Sequence, residues 1–247
     1  MRIRFERQHG FSLIELAVVL VIIGLLLGGG LAAFTATTEQ ARRAEQKRQL
    51  QHIREALYGF AMVEGRLPCP DDLDDATAPD PDGTEDRSGS PAACDTDVGA
   101  LPWVTLGLGR RDAWNNPLIY QVEPDYADDD PAPGDDASSF AFSDSATITV
   151  VDGNGDTIVN GTPAVVVSAG PQGEQIWVGG ALKCPGASGA AANGFSDDET
   201  ENCDGDDNYV ESAYRGADAA TDRFDDMLIW VPDHVLKARM VDAGRLP

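Results

Sequence analysis

The sequence is short of positive charge. Its 247 residues include 18 lysines and arginines against 42 aspartates and glutamates, which gives a formal net charge of −24. Surfaces that bind phosphate backbones are rich in lysine and arginine, so this composition argues against a nucleic-acid-binding protein. Hydrophobic residues make up 42% of the chain, which is enough to bury a core and argues against a disordered tail.

The chain also lacks the residues from which common metal and catalytic sites are built. It has four cysteines, three histidines and no Cys-x-x-Cys pair, which argues against a structural zinc site. It contains no P-loop and no Gly-x-Gly-x-x-Gly segment. Ser168-Ala169-Gly170 matches half of a nucleophile elbow, but Val166 stands where the first glycine is required. A triad of Ser168, His234 and an aspartate is the remaining catalytic alternative, and we predict that the protein is not an enzyme.

One long hydrophobic run is present, at residues 11–34, and its only charge is Glu15. A helix of this length spans about 36 Å, enough to cross a hydrocarbon core of about 30 Å. The preceding Arg2, Arg4 and Arg7 predict that the N-terminus stays in the cytoplasm and that the body lies outside. A plain membrane anchor and a secretory signal peptide are the alternatives. Neither accounts for Glu15, because a carboxylate in a membrane segment costs about 3 kcal/mol and usually has a partner.

The start of this run carries a specific motif. Residues 10–15 read GFSLIE, with basic residues before them and the apolar run after them. This segment resembles the prepilin processing signal of type IV pilins and type II secretion pseudopilins. The resemblance implies that a prepilin peptidase cuts between Gly10 and Phe11 and N-methylates the new terminus at Phe11. It also implies that Glu15 pairs with the Phe11 amine of a neighbouring subunit, because a buried carboxylate needs a cation.

The helix is predicted to continue beyond the apolar run. Residues 35–66 contain no proline, and their first half is rich in alanine, glutamine, arginine and glutamate, which favour helices. Apolar residues then recur at steps of three and four, which predicts an amphipathic helix packed onto the body. The tetrapeptide Gly-Arg-Leu-Pro, at 65–68 and again at 244–247, is able to end a helix. The apolar stripe consists of Leu50, Ile53, Leu57 and Phe60.

The acidic remainder is predicted to form a small antiparallel β-sheet. Short β-rich runs there are separated by glycine, proline and aspartate. A short C-terminal helix is predicted over 233–243, after Pro232 and before Gly244. The fold class is therefore α+β and pilin-like, with a long N-terminal helix, half transmembrane and half amphipathic, packed on the sheet. The predicted strands are Leu118–Glu123, Ser138–Ser143, Ala146–Asp152, Ala164–Ser168 and Met227–Val231.

The four cysteines lie in the predicted exported part, where an even number favours disulfides. Three pairings are open, and we predict that sequence neighbours pair, Cys69 with Cys94 and Cys184 with Cys203. Each disulfide would close an acidic loop and stabilise the fold by about 3 kcal/mol. The predicted parts are a cleaved leader (1–10), a transmembrane and assembly helix (11–34), its amphipathic continuation (35–64) and an acidic periplasmic globular domain with two disulfide-closed loops (65–247).

Two segments of the body resemble major pseudopilins. Residues 112–120 (DAWNNPLIY) are similar to their Asp-Pro-Trp-Gly-Asn-Pro-Tyr-Tyr stretch, and residues 165–173 (VVVSAGPQG) are similar to their Ser-x-Gly-Pro-Asp-Gly stretch. Ala113 stands in place of the usual proline, Asn115 in place of glycine and Gln172 in place of aspartate. These departures, together with the large cysteine-containing body, indicate a divergent or minor subunit.

Major pseudopilins bind calcium in a late loop, so the resemblance suggests Ca²⁺ as a ligand here, and no other cofactor is predicted. Calcium prefers six to eight oxygens from flexible loops. Solvated acidic surface without a metal is the alternative. A second segment, 152–156 (DGNGD), begins like an EF-hand loop, but Pro163 replaces the twelfth-position glutamate and a turn is favoured. The candidate calcium ligands are Asp197, Asp198, Asp204, Asp206 and Asp207.

The sequence therefore predicts a pilin-like structural subunit that assembles through its N-terminal helix into a type II secretion pseudopilus or a type IV pilus. Its predicted location is the bacterial inner membrane, with a single pass and the C-terminal domain in the periplasm, and then the filament. The partners that the resemblance implies are other pilin or pseudopilin subunits, prepilin peptidase and an assembly platform. The alternative is a membrane-tethered periplasmic binding domain, calcium-dependent, for which the apolar segment is only an anchor.

Overall fold

The computed structural model describes seven stretches of the chain, and they fall into two compact units, Met1–Ala44 and Glu45–Pro247. We describe each unit by itself. The described residues are 12–72, 81–129, 138–173, 177–178, 181–182, 197–216 and 223–247.

Helix α1 spans Leu13–Glu64. In the first unit, every side chain from 12 to 23 is exposed, with Leu13 at 88% and Ile14 at 74%. Among the described residues, no helix combines the length and the hydropathy that identify a membrane span. The helix ends where the sequence predicts, because Gly65 follows it with a φ of 82°, the left-handed conformation typical of a helix C-terminus.

In the second unit, the predicted apolar stripe of α1 is confirmed at three of its four positions. Leu50, Ile53 and Leu57 are buried in the main hydrophobic core. Phe60 is only partly buried, and its ring lies 5.2 Å beneath the guanidinium of Arg66. Ala61 takes its place in the core because it lies one turn beyond Leu57 on the same face of the helix.

The remaining elements are short. Two 3₁₀ turns, Pro124–Tyr126 and Gly170–Gln172, accompany them. In chain order the other elements are β1 (Arg87–Gly89), β2 (Ala92–Cys94), β3 (Val98–Ala100), β4 (Ile119–Val122), β5 (Ile148–Asp152), β6 (Thr157–Thr162), β7 (Ala164–Ser168), β8 (Trp177–Val178), β9 (Ala181–Leu182), α2 (Asp197–Glu201), β10 (Asn208–Glu211), β11 (Met227–Trp230) and α3 (Asp233–Asp242).

The main sheet is antiparallel and has the strand order β11-β7-β4-β3. Strand β7 is central, with Val167 opposite Ile119 on one side and opposite Leu228 on the other. Every residue of β4 and β7 is buried. Alternate residues explain this burial, because one set packs with α1 and α3 while the other set packs with β5 and β10.

A second, three-stranded sheet with the order β10-β5-β6 covers the other face of the main sheet. Strands β5 and β6 are antiparallel and joined by the DGNGD segment, which forms a turn in which Asp152 Oδ1 accepts the N–H groups of Asn154 and Asp156. Strands β10 and β5 are parallel, with Tyr209 opposite Val150. The predicted antiparallel pairing is confirmed for the main sheet and for β5 with β6, whereas β10, which is not among the predicted strands, pairs with β5 in parallel.

Four of the five predicted strands coincide with β4, β5, β7 and β11, and the predicted C-terminal helix coincides with α3. The prediction of a strand over Ser138–Ser143 is wrong. Phe140 is fully buried there, but it stacks on Tyr126 with ring centroids 4.5 Å apart. Ser138 donates its hydroxyl to the carbonyl of Gly65. The segment is a loop in which Phe140 fills the core while Phe142 is exposed.

Both Gly-Arg-Leu-Pro tetrapeptides end a helix in the same way. Gly65 and Gly244 have φ values of 82° and 70°, and the leucines that follow are both buried in the main core. Arg245 donates from Nε to the carbonyl of Met62 at 3.1 Å and from Nη2 to the carbonyl of Val63. Because α1 has no basic residue in its last turn, Arg245 supplies the positive charge that favours a helix C-terminus.

A disulfide joins Cys69 to Cys94, the pairing that sequence adjacency predicts. Beside it, Arg66 donates two hydrogen bonds to Glu85 at 2.7 and 2.8 Å, and the N–H of Cys69 donates to the same carboxylate. Burial would raise the pKa of Glu85, but these bonds outweigh it and hold the pKa below its usual value. The loop is thus fastened by a covalent bond and by an ion pair.

The second predicted disulfide falls partly outside the described residues. Cys203 is buried between the two sheets, while Cys184 lies outside the described part of the chain. The Cys184–Cys203 pairing stays a prediction.

Candidate assembly segment and buried carboxylate cluster

The described part of the N-terminal motif starts α1 with a capping box. The carbonyl of Ser12 accepts the N–H of Leu16 at 3.2 Å, which makes Ser12 the N-cap residue. Ser12 Oγ accepts the N–H of Glu15 at 3.2 Å, and Glu15 Oε2 accepts the N–H of Ser12 at 3.5 Å. The Ser-x-x-Glu spacing is the sequence signature of this reciprocal pair, although our interpretation of the motif did not use it. Gly10 and Phe11 lie outside the described residues.

The first turns of α1 are apolar on every side and uncovered in the single chain. Glu15 is the one charge among residues 11–34. A helix that is hydrophobic all round is normally buried in protein or lipid, and exposed apolar surface of this extent marks an interaction site. The exposed apolar side chains are Leu13, Ile14, Leu16, Val18, Val19, Leu20, Val21, Ile22 and Ile23.

In the body, the two segments that resemble pseudopilins meet at Asp112. Its Oδ1 accepts the N–H groups of Trp114 and Asn116 at 2.9 and 2.8 Å, and its Oδ2 accepts the hydroxyl of Ser168 at 2.7 Å. Burial raises the pKa of Asp112, while the Ser168 hydroxyl and the two amides oppose the rise. Asn116 Nδ2 donates to the carbonyl of Gly170 at 2.8 Å. Ser168 is fully buried, and its hydroxyl links the two segments by donating to Asp112.

Backbone geometry explains the residue type at two positions of these segments. Asn115 has a φ of 73°, a conformation that favours glycine and that asparagine adopts more readily than most residues. Glycine is the usual residue there in the pseudopilins that the segment resembles. At Gly173, a Cβ would lie 2.7 Å from Nδ2 of Asn116, so glycine is required for the two segments to touch.

Two glutamines tie α1 to the same loop. Gln46 is fully buried, and its Oε1 accepts the N–H of Ala113 at 2.9 Å. Gln49 donates from Nε2 to the carbonyl of Arg111 at 2.8 Å. A search for apolar periodicity misses both residues because they are polar. They nevertheless lie within one turn before the stripe that begins at Leu50, and that spacing is the signal from which they could have been found.

A buried group of three carboxylates lies beside these segments. Glu199 on α2 and Asp225 and Asp226 before β11 are 1%, 2% and 6% exposed, and they offer oxygens within 4.8 Å of one another. The N–H of Asp225 donates to Glu199 at 3.0 Å, and Asn202 donates to Asp226 at 2.9 Å. Arg223 forms an ion pair with Asp225.

The three buried carboxylates of this cluster repel one another, and the pKa of Asp226 shows the effect. Burial raises the pKa of Asp226 well above its usual value, and the negative charges of Glu199 and Asp225 raise it further, against the opposing bond from Asn202. A proton or a divalent cation would relieve this repulsion. Glu199 and Asp225 are 26 residues apart, so no local motif in the sequence points to the cluster.

Four of the five aspartates predicted as calcium ligands have other contacts. Asp198 pairs with Arg215 at 2.7 Å, and Asp207 accepts a hydrogen bond from Gln121 at 3.0 Å. Two others accept backbone N–H groups in the turn before β10. Within the described residues, none of the five belongs to a group of three ligand atoms at coordinating distance. The five are Asp197, Asp198, Asp204, Asp206 and Asp207.

The N-terminal motif matches a known family model. Residues 6–31 match the family model described as "Prokaryotic N-terminal methylation motif". The matched range contains the Gly10–Phe11 junction, Ser12 and Glu15.

One curated relative is the "Type IV narrow pilus major component PilA5" of Thermus thermophilus, which is 40% identical over 60 residues. The aligned part is 24% of this chain and 51% of the relative, so the chain spans about half the length of the curated relative that it matches. No solved structure matches the chain.

Proposed function

We propose that the chain, which carries the N-terminal motif of type IV pilin-like proteins, is a structural subunit rather than an enzyme, and that it is processed, inserted in a membrane and assembled into a filament through α1. Cleavage between Gly10 and Phe11 creates the mature N-terminus, and Phe11 is N-methylated. The filament is a type IV pilus or a type II secretion pseudopilus. The observation that supports assembly best is the start of α1, where exposed apolar side chains surround a single carboxylate.

The membrane and its machinery supply the other proposed partners. Before assembly, the subunit lies in the bacterial inner membrane as a single-pass protein with its body in the periplasm. The basic residues before the apolar run favour this orientation. Prepilin peptidase removes the leader on the cytoplasmic side. An assembly platform then moves the subunit into the filament, where it contacts other pilin or pseudopilin subunits. The strong acidity of the body makes nucleic acid an unsuitable partner.

Glu15 supplies specificity in this proposal. A carboxylate in a hydrocarbon environment costs about 3 kcal/mol, and the cost is relieved when a cation faces it. The methylated amine at Phe11 of a neighbouring subunit is such a cation. Since the pair joins two subunits at fixed positions of their helices, it sets the axial register of the filament.

A second candidate function is a membrane-tethered, calcium-dependent binding domain. The observation that favours it is the cluster of Glu199, Asp225 and Asp226, which is buried in the body and independent of α1's first turns. In that case the apolar segment is an anchor only, and the leader is retained.

The mass of the N-terminal peptide of the protein from its native membrane separates the two functions. A chain that starts at Phe11 with one added methyl group supports the subunit, and a chain that starts at Met1 supports the tethered domain. Glu15→Ala then tests assembly, with loss of incorporation into sheared filaments as the expected result. Glu64→Ala, an exposed glutamate at the other end of α1, is the control and should incorporate normally. Normal incorporation of Glu15→Ala would refute the role given to Glu15.

A further inference from the structure

We infer that Ser12 is a positioning residue for Glu15, holding its carboxylate in the capping box at the start of α1 until assembly supplies a partner. The inference rests on the proposed function and deepens it. It assigns Glu15 a first role inside its own chain, before any contact with a neighbour.

The hydrogen bonds define the arrangement at both ends. Glu15 donates its N–H to the Ser12 hydroxyl at 3.2 Å, and its carboxylate accepts the Ser12 N–H at 3.5 Å. The N–H of Leu16 donates to the Ser12 carbonyl, so Ser12 is the N-cap residue and Glu15 is the third residue of the helix. The carboxylate is thereby turned back toward the N-terminal side of the helix.

The environment makes this cap important. The first N–H groups of any helix lack partners within it, and in a hydrocarbon environment no water replaces those partners. The apolar side chains that follow Ser12 offer no hydrogen-bond acceptor. The capping box satisfies two of the exposed N–H groups, and the positive end of the helix dipole favours the carboxylate. An unassembled subunit therefore tolerates Glu15 because Ser12 and the helix start hold it.

The same geometry prepares the assembly step. Cleavage after Gly10 leaves the new amine on Phe11, one residue before Ser12 in the sequence. A carboxylate held against the Ser12 N–H is directed toward this end of the chain. Pairing with a neighbour's amine then exchanges the weak bond to the Ser12 N–H for an ion pair, while the Ser12 hydroxyl keeps the helix start in place.

The test uses the full processed chain, in detergent micelles for hydrogen exchange and in its own membrane for assembly. In Ser12→Ala the amide of Glu15 should exchange about fivefold faster, the change expected when an N-cap is lost. The amide of Leu16, bonded to the Ser12 carbonyl, should keep its rate. In Glu15→Ala the amide of Ser12 should also exchange faster.

Assembly provides the second readout. Ser12→Ala should reduce incorporation into filaments, and Ser12→Thr, which retains a capping hydroxyl, should restore both incorporation and the slow exchange at Glu15. Wild-type exchange at Glu15 in Ser12→Ala, or wild-type incorporation of that variant, would overturn the inference. Failure of the proposed function is distinguishable, because it appears in the unsubstituted chain as an N-terminus at Met1 or as the absence of filaments.

Discussion

Replacing Ser168 with alanine should destabilise the body by about 2 kcal/mol, because a hydrogen bond to a charged group contributes about 1.5–3 kcal/mol. Ser168 is fully buried, and its hydroxyl donates to Asp112 at 2.7 Å. The substitution leaves that carboxylate in place with its two backbone amide bonds but without its side-chain donor. Unfolding of the full chain in mild detergent, followed by circular dichroism, measures the loss.

The pH dependence makes the reasoning refutable. The Ser168 hydroxyl stabilises the charged form of Asp112, so the loss of unfolding free energy should be largest above the folded-state pKa of Asp112 and should shrink as pH falls through it. Ser145→Ala is the control, because Ser145 is exposed and lies in a loop, and it should change stability by less than about 0.5 kcal/mol. A Ser168→Ala effect as small as the control, or one independent of pH, would show that the bond does not stabilise the fold.

Three further predictions concern single positions. Asn115→Gly should leave stability unchanged or raise it, whereas Asn115→Ala should lower it by about 1 kcal/mol because of the left-handed φ, as denaturant unfolding would show. Burial raises the pKa of Asp71 to about 7, so the folded chain binds a proton that the unfolded chain lacks between about pH 4 and 7. Wild-type stability should therefore fall relative to Asp71→Asn as pH rises through that range, and parallel profiles of melting temperature against pH would contradict this. If Ca²⁺ binds the carboxylate cluster, millimolar Ca²⁺ should raise the melting temperature of the wild type and of Asp206→Asn but not of Asp226→Asn. No rise in the wild type would refute calcium binding. A rise that is lost only in Asp206→Asn would show that Ca²⁺ binds in the turn before β10 instead.

The helix and the central strands could be predicted from the sequence because burial dictates their residue types. Strand β7 is buried on both faces and reads as the continuous apolar run AVVVS, which is distinctive without any tertiary information. Strands β6 and β10 lack such runs. They read TIVNGT and NYVE, and they are strands because β5 pairs with each of them. Pairing with a neighbouring strand is a tertiary effect, so it cannot be predicted from the sequence of a short polar segment alone.

The two candidate sites also differ in whether they are encoded locally in the sequence or depend on tertiary packing. The assembly segment is local, so its motif, its apolar run and its capping box are all readable within a few residues. The carboxylate cluster is assembled from two distant segments, whereas the five predicted calcium ligands come from the dense acidic run at 196–207. Glu199 lies within that run but could not be distinguished from its neighbours, because its burial depends on where α2 packs.

The contacts in the structure explain which residues the two pseudopilin-like segments require. Gln46 holds the loop that contains Asp112, Asp112 holds Ser168, and Gly170 lies so close to Asp225 that a Cβ would come within 2.2 Å of its carboxylate. Each contact depends on a buried polar group or a missing side chain, which are the features that tolerate substitution least. The two segments therefore connect α1 to the sheet and to the carboxylate cluster.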